Sequence, residues 1–169
     1  MEFKIALAAA FLALLILCGC ATTGNANLAV AKPAQTQTIV ECRGSAQCLT
    51  GIVIEVIDGD TIKVKQKRGT REETIRFALV NSPEVEMPGY NEATQYTRGL
   101  CPVGSEVAID EDDGQTEGSY GRMVGLVYCD GVNVNEQLLE NSHAIIYSDF
   151  CKVSEFEKDE WAKKYGCPV

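Results

Sequence analysis

Four short stretches of this 169-residue chain place charged side chains where strand-like patterns end. They are Val56-Ile57-Asp58-Gly59-Asp60-Thr61, Ile75-Arg76-Phe77, Val80-Asn81-Ser82-Pro83-Glu84 and Ser119-Tyr120-Gly121-Arg122. Strand ends are rigid, so side chains projecting from them can be held in a fixed constellation. Two arginines suffice for a local phosphate site, because a guanidinium fork meets two phosphate oxygens at once. Neighbouring carboxylates suit a hard divalent cation, and a carboxylate in reach of water can act as a base. Each stretch alone also has a plain reading. Asp-Gly-Asp makes a hairpin turn, a strand arginine is usually solvated, and Tyr-Gly-Arg is usually a loop. The single histidine, His143, lies among Ser142, Ala144 and Ile145 and reads as structural or surface-bound.

The elements that must carry these residues follow from periodicity. Ile52, Val53, Ile54 and Val56 form one strand; beyond the Asp-Gly turn, Thr61 to Lys65 alternates polar and apolar around Ile62 and Val64 as a second. Thr74 to Val80 reads as a third, with Ile75, Phe77 and Leu79 on one face and Arg76 on the other; Pro83 ends it. Residues 91–100 form an amphipathic helix. Val107 to Ile109 is a fourth strand, followed by an acidic, glycine-containing loop from Asp110 to Gly121. Met123 to Tyr128 is a fifth strand, and Val134 to Asn141 a helix. A last helix starts at a capping box, Ser154-x-x-Glu157, carries Trp161 and Tyr165 as packing residues, and stops at Gly166. Five short strands with helices after the third and fifth predict an α+β, mainly β fold: an OB-type five-stranded Greek-key barrel capped by about three helices.

Lys4 and the apolar run from Ile5 to Leu17 read as a signal peptide, too short for a comfortable bilayer span. The run ends in Leu17-Cys18-Gly19-Cys20, which resembles a lipoprotein signal. The expected organisation is therefore a signal peptide at 1–19, an acylated Cys20, a flexible tether at 20–39 and a folded domain at 40–169. Plain secretory cleavage near Ala21 is the alternative. Either way the chain is exported, at the outer face of the cell membrane or envelope or secreted, and the lipid is its only membrane contact. Six of the eight cysteines remain in the domain: Cys42, Cys48, Cys101, Cys129, Cys151 and Cys167. An even number in an exported chain implies three disulfides. Six cysteines allow about fifteen pairings; Cys42–Cys48 and Cys151–Cys167 as local loops, with Cys101–Cys129 across the core, is the preferred set. The net charge of −9 argues against tight non-specific binding of long nucleic acid, but not against a local arginine site. The basic stretch Lys63, Lys65, Lys67, Arg68 and Arg71 either recruits nucleic acid or is a solvated hairpin.

Taken together and in order, VIDGDT, IRFALVNSPE, SYGRMVGLVY and the DGVNVNEQLL stretch from Asp130 resemble the thermonuclease (staphylococcal-nuclease-like) family over about residues 51–147. The resemblance implies an OB-type barrel and a calcium-dependent nuclease, acting on DNA or RNA with little sequence preference and leaving 3′-phosphate ends. Position by position, it implies that Asp60 ligates calcium, that Arg76 holds the scissile phosphate, and that Glu84 orients or activates water. It further implies that Arg122 stabilises the transition state, that Ser82 gives its backbone carbonyl to the metal, and that Tyr120 helps hold the nucleotide phosphate. Arginine forks and a hard cation suit the charge that builds on a phosphodiester under attack.

Two positions depart from the family pattern. Asn81 stands where an aspartate usually ligates the metal, so the expectation is an amide ligand and weaker calcium binding, partly offset by Asp58. Ser119 stands where a lysine usually points to the nucleotide, which predicts lower and strongly salt-dependent substrate affinity. A monomer is expected. The alternative function is a catalytically weak or inactive OB-type module that captures nucleic acid or a protein at the envelope.

Overall fold

The computed structural model describes residues 40–168 of the chain. The expected signal peptide, Cys20 and the tether lie outside the described residues. Five strands close into a barrel: β1 (Cys48–Val56), β2 (Thr61–Gln66), β3 (Glu72–Phe77), β5 (Glu106–Glu111) and β6 (Met123–Cys129). Their order is β3-β2-β1-β5-β6, antiparallel throughout, and a parallel pairing of β3 with β6 closes the ring. Alternation explains why these segments are strands: Val53, Ile62, Val64, Ile75, Phe77, Ile109 and Val127 are at most 1% exposed and fill the interior. Each such side chain contributes roughly 1.5–3 kcal/mol by leaving water. The closing strand passes so close to its neighbour that a Cβ on Gly125 would lie 2.6 Å from the Asp110 carbonyl oxygen, so only glycine fits there.

The helices sit as the order of elements implies. They are α1 (Tyr90–Leu100), α2 (Val134–Glu140) and α3 (Glu160–Tyr165). Asn133 caps α2, its side chain accepting from Glu136 N–H at 3.1 Å. Three disulfides, Cys42–Cys48, Cys101–Cys129 and Cys151–Cys167, tie the N-terminal loop, the end of α1 to β6, and the C-terminus. His143 stacks on Tyr96 with ring centroids 4.2 Å apart, and Trp161 is buried in the core.

Two expectations need correction. The third strand does not run to Val80: the chain turns at Ala78 and Leu79, where Leu79 takes φ 59°, and Val80–Asn81 (β4) then pairs with the two-residue strand Ile145–Ile146. The last helix does not begin at Ser154. Ser154 caps only a 3-10 turn over Glu155–Lys158, and Asp159 is extended before α3 begins. The cause is long-range: Asp159 accepts two hydrogen bonds from the Arg43 guanidinium, at 2.7 and 2.9 Å, and another from Trp161 Nε1 at 3.1 Å. The basic hairpin is largely neutralised on the barrel surface, with Lys63, Lys67 and Arg71 paired to Glu55, Glu106 and Glu73.

The acidic segment after β5 is knitted to the N-terminal cystine loop. Asp113 accepts hydrogen bonds from the backbone amides of Ser45 and Ala46, which hold its carboxyl below the ordinary range. Burial pushes the carboxyls of Asp110 and Glu155 up, although Arg43 pulls back on the first and the Asp113 amide on the second. Groups with raised folded values add stability that is present at acid pH and lost as pH rises through those values. Asp113 has the opposite sign, and its contribution disappears only as pH falls through its depressed value. The urea midpoint therefore rises as pH is lowered from about 7 into the carboxylate range near 4–5, then falls at lower pH. Asp110→Asn and Glu155→Gln flatten that rise; a wild-type midpoint that falls steadily from neutral pH would contradict the assignment.

Candidate functional site

Strand register brings the charged stretches together. Thr61 of β2 pairs with Arg76 of β3, and Arg76 pairs with Val124 of β6. Asp60, one residue before Thr61, and Arg122, two before Val124, are thereby carried to the same end of the barrel as Arg76. A cleft of about 290 Å³ opens there, lined by Asp58, Asp60, Arg76, Asn81, Glu84, Tyr120 and Arg122 among others.

At its base lies a largely buried ion pair. Asp60 is 4% exposed. Its Oδ2 accepts the Ser82 amide at 2.6 Å, and its Oδ1 accepts the Thr61 hydroxyl at 3.2 Å and faces Arg76 Nε at 3.3 Å. The rest of the guanidinium is also engaged. Nη1 donates to the Phe77 and Val80 carbonyls at 2.9 and 2.7 Å, and Nη2 donates to Asn81 Oδ1 at 3.1 Å. A buried charge is tolerated only when paired and hydrogen-bonded in this way. Asp58 stands beside Asp60, accepting its amide at 3.0 Å; burial first, and the Asp60 charge second, push its carboxyl above the ordinary range.

The backbone under these groups is fixed from behind. A Cβ on Gly59 would lie 2.7 Å from Ser82 Cβ and 2.8 Å from Ala93 Cβ, so the Asp-Gly-Asp turn packs directly on α1. Thr97 of α1, fully buried, donates its hydroxyl to the Gly59 carbonyl at 2.6 Å. The turn that presents the two carbonyls to Arg76 is clamped by Asn135, whose amide donates to Ala78 O at 2.8 Å and accepts Val127 N–H at 3.0 Å. Leu79 O accepts Tyr147 N–H at 2.8 Å.

Glu84 is exposed at the cleft, and its carboxylate has no partner among the described residues. Arg122 donates Nε to Ser119 O at 3.0 Å and Nη2 to Ser119 Oγ at 3.1 Å, while its Nη1 has no partner among the described residues. Tyr120 is fully exposed, 5.9 Å from the Arg122 guanidinium. Ser82 does not line the cleft. It is buried and enters through its N–H to Asp60. The cleft also includes Gln115, Leu79, Tyr147 and Phe150, which sequence reasoning did not select; the two aromatic rings meet edge to face at 4.7 Å.

The oxygen chemistry of Asp58 and Asp60 suits a hard cation. Among the described residues no group of three His, Cys, Asp or Glu is placed to hold a metal ion. The Asn81 amide oxygen is already taken by Arg76.

A five-stranded barrel of OB type thus carries two arginines and an exposed carboxylate at one end. The chain matches the family described as staphylococcal nuclease homologue over residues 74–165, and it belongs to that family. It is 33% identical over 118 residues, 64% of this chain and 39% of the relative, to the SPbeta prophage-derived endonuclease YokF of Bacillus subtilis. Endonuclease YncB of the same organism is 34% identical over 118 residues, 64% of this chain and 54% of that protein. A probable staphylococcal-like nuclease of rice, CAN1, is 29% identical over 147 residues, 84% of this chain and 42% of that protein. The chain thus spans about two fifths to about half the length of these curated relatives.

The two arginines differ sharply in what depends on them. Removing the Arg76 charge leaves Asp60 buried and unpaired, so Arg76→Met destabilises the domain by about 3–5 kcal/mol. Arg122 bonds only to its own loop, so Arg122→Met costs less than about 1 kcal/mol. Urea melts at pH 7 measure both, and equal costs would overturn this description of the ion pair.

Proposed function

We propose that the chain is a nuclease that hydrolyses phosphodiester bonds of DNA or RNA in this cleft. The observation that carries the proposal is the convergence of Arg76, Glu84 and Arg122 on one opening, with family membership beside it. Arg76 is fixed by four protein contacts and offers its remaining Nη2 hydrogen to a phosphate oxygen. Arg122, with Nη1 uncommitted, reaches the same phosphate from the loop and meets the charge that grows as the phosphorus becomes five-coordinate. Glu84, exposed and unpartnered, orients a water and takes its proton as the oxygen–phosphorus bond forms and the leaving oxygen departs. A bound calcium ion, held by Asp60 and Asp58, would add charge stabilisation at the phosphate. No covalent intermediate is required.

An exported location is part of the same proposal. Three disulfides in the domain support an oxidising compartment, in keeping with an exported chain anchored through acylated Cys20. The test is cleavage of single-stranded DNA and of RNA by the purified mature chain across a calcium titration. Cleavage appears with calcium and stops with chelator. Glu84→Gln and Arg122→Ala each lower kcat by about 10²–10³-fold with the fold intact. Binding without cleavage at every calcium concentration would leave a capture module in place of an enzyme.

A further inference from the structure

We propose that Asn81 is a positioning residue for Arg76 and not a ligand of the cation. The inference rests on reading Arg76 as the phosphate clamp. Asn81 is the first residue after the turn whose carbonyls hold Nη1, and its Oδ1 accepts from Nη2 at 3.1 Å. The guanidinium Nε faces Asp60 Oδ1 at 3.3 Å. Arg76 therefore meets an anion at Nε and a neutral dipole at Nη2. The Asn81 amide oxygen is neutral and already accepts from the guanidinium, so, unlike the Asp60 carboxylate, it brings no negative charge to offset a divalent cation close to Arg76.

The choice of amide over carboxylate has a consequence for the substrate. With an aspartate at this position, Arg76 would be flanked by two carboxylates and its charge offset before any phosphate arrived. The amide orients the fork without neutralising it, so the guanidinium keeps its attraction for a phosphate. Cation affinity is thereby left to Asp58 and Asp60. The backbone of Asn81 is held independently of its side chain by the ladder with Ile145, so side-chain changes here leave the fold in place.

The experiment compares Asn81→Ala and Asn81→Asp with wild type in three measurements: calcium binding by calorimetry, the Arg76 Nε–H signal in nitrogen-15 NMR, and steady-state cleavage of single-stranded DNA. In Asn81→Ala, calcium affinity stays within about twofold of wild type, the Arg76 signal broadens, and kcat falls about tenfold, the size of one charge-assisted hydrogen bond. Asn81→Asp restores the Arg76 signal, tightens calcium binding at least about tenfold and raises KM for DNA. The proposal is overturned if Asn81→Ala weakens calcium binding about tenfold or more while the Arg76 signal is unchanged. Calorimetry and NMR decide this even if no variant cleaves DNA, a result that would count against the nuclease reading alone.

Discussion

The constraint on which the rest of the structure depends is a guanidinium buried beside a carboxylate where the barrel closes. Arg76 and Asp60 side chains are 11% and 6% exposed, and neither charge would survive there without the other. The parallel β3–β6 pairing carries Arg76 to that place, and the turn at Ala78 and Leu79 wraps two carbonyls around it. A leucine at φ 59° is a costly conformation, and the buried amide of Asn135 and the Tyr147 amide hold it. The barrel closure, the strained turn and the buried ion pair are thus one arrangement seen at three scales.

The acidity of the chain takes on a different meaning beside this site. A net charge of −9 would repel a polyanion from most of the surface. Part of the acid is occupied locally: Asp113, Asp112, Asp110 and Asp159 bind backbone amides, Arg43 or Trp161 at the N-terminal cystine loop. Lys63 and Lys67 are offset by Glu55 and Glu106. In the proposed function, phosphate meets Arg76 and Arg122, with aromatic rings at Tyr120, Tyr147 and Phe150 along the cleft.

The barrel and its site were legible in the sequence where local rules govern. Alternation around Ile62, Val64, Ile75 and Phe77 marks strands because each buries one face. The ordered motifs placed Asp60, Arg76, Glu84 and Arg122, which the register then brings to one end. What escaped notice is set by contacts distant in the chain. The two-residue strands at Val80 and Ile145 exist only because each finds the other. The last helix breaks at Asp159 because Arg43, 116 residues away, takes its carboxylate. Thr97 and Asn135 look like ordinary helix residues until the carbonyls they meet are known. The hydrogen bond from Arg76 to the Asn81 amide, five residues on, cannot be inferred from spacing.

The most direct measurement of the central claim is a crystal structure of Glu84→Gln bound to a short single-stranded oligonucleotide. The account predicts one phosphate within hydrogen-bond distance of both Arg76 and Arg122, with the residue 84 side chain facing it across a water. Nucleic acid bound on another face of the barrel, with the two arginines in their present contacts, would contradict it.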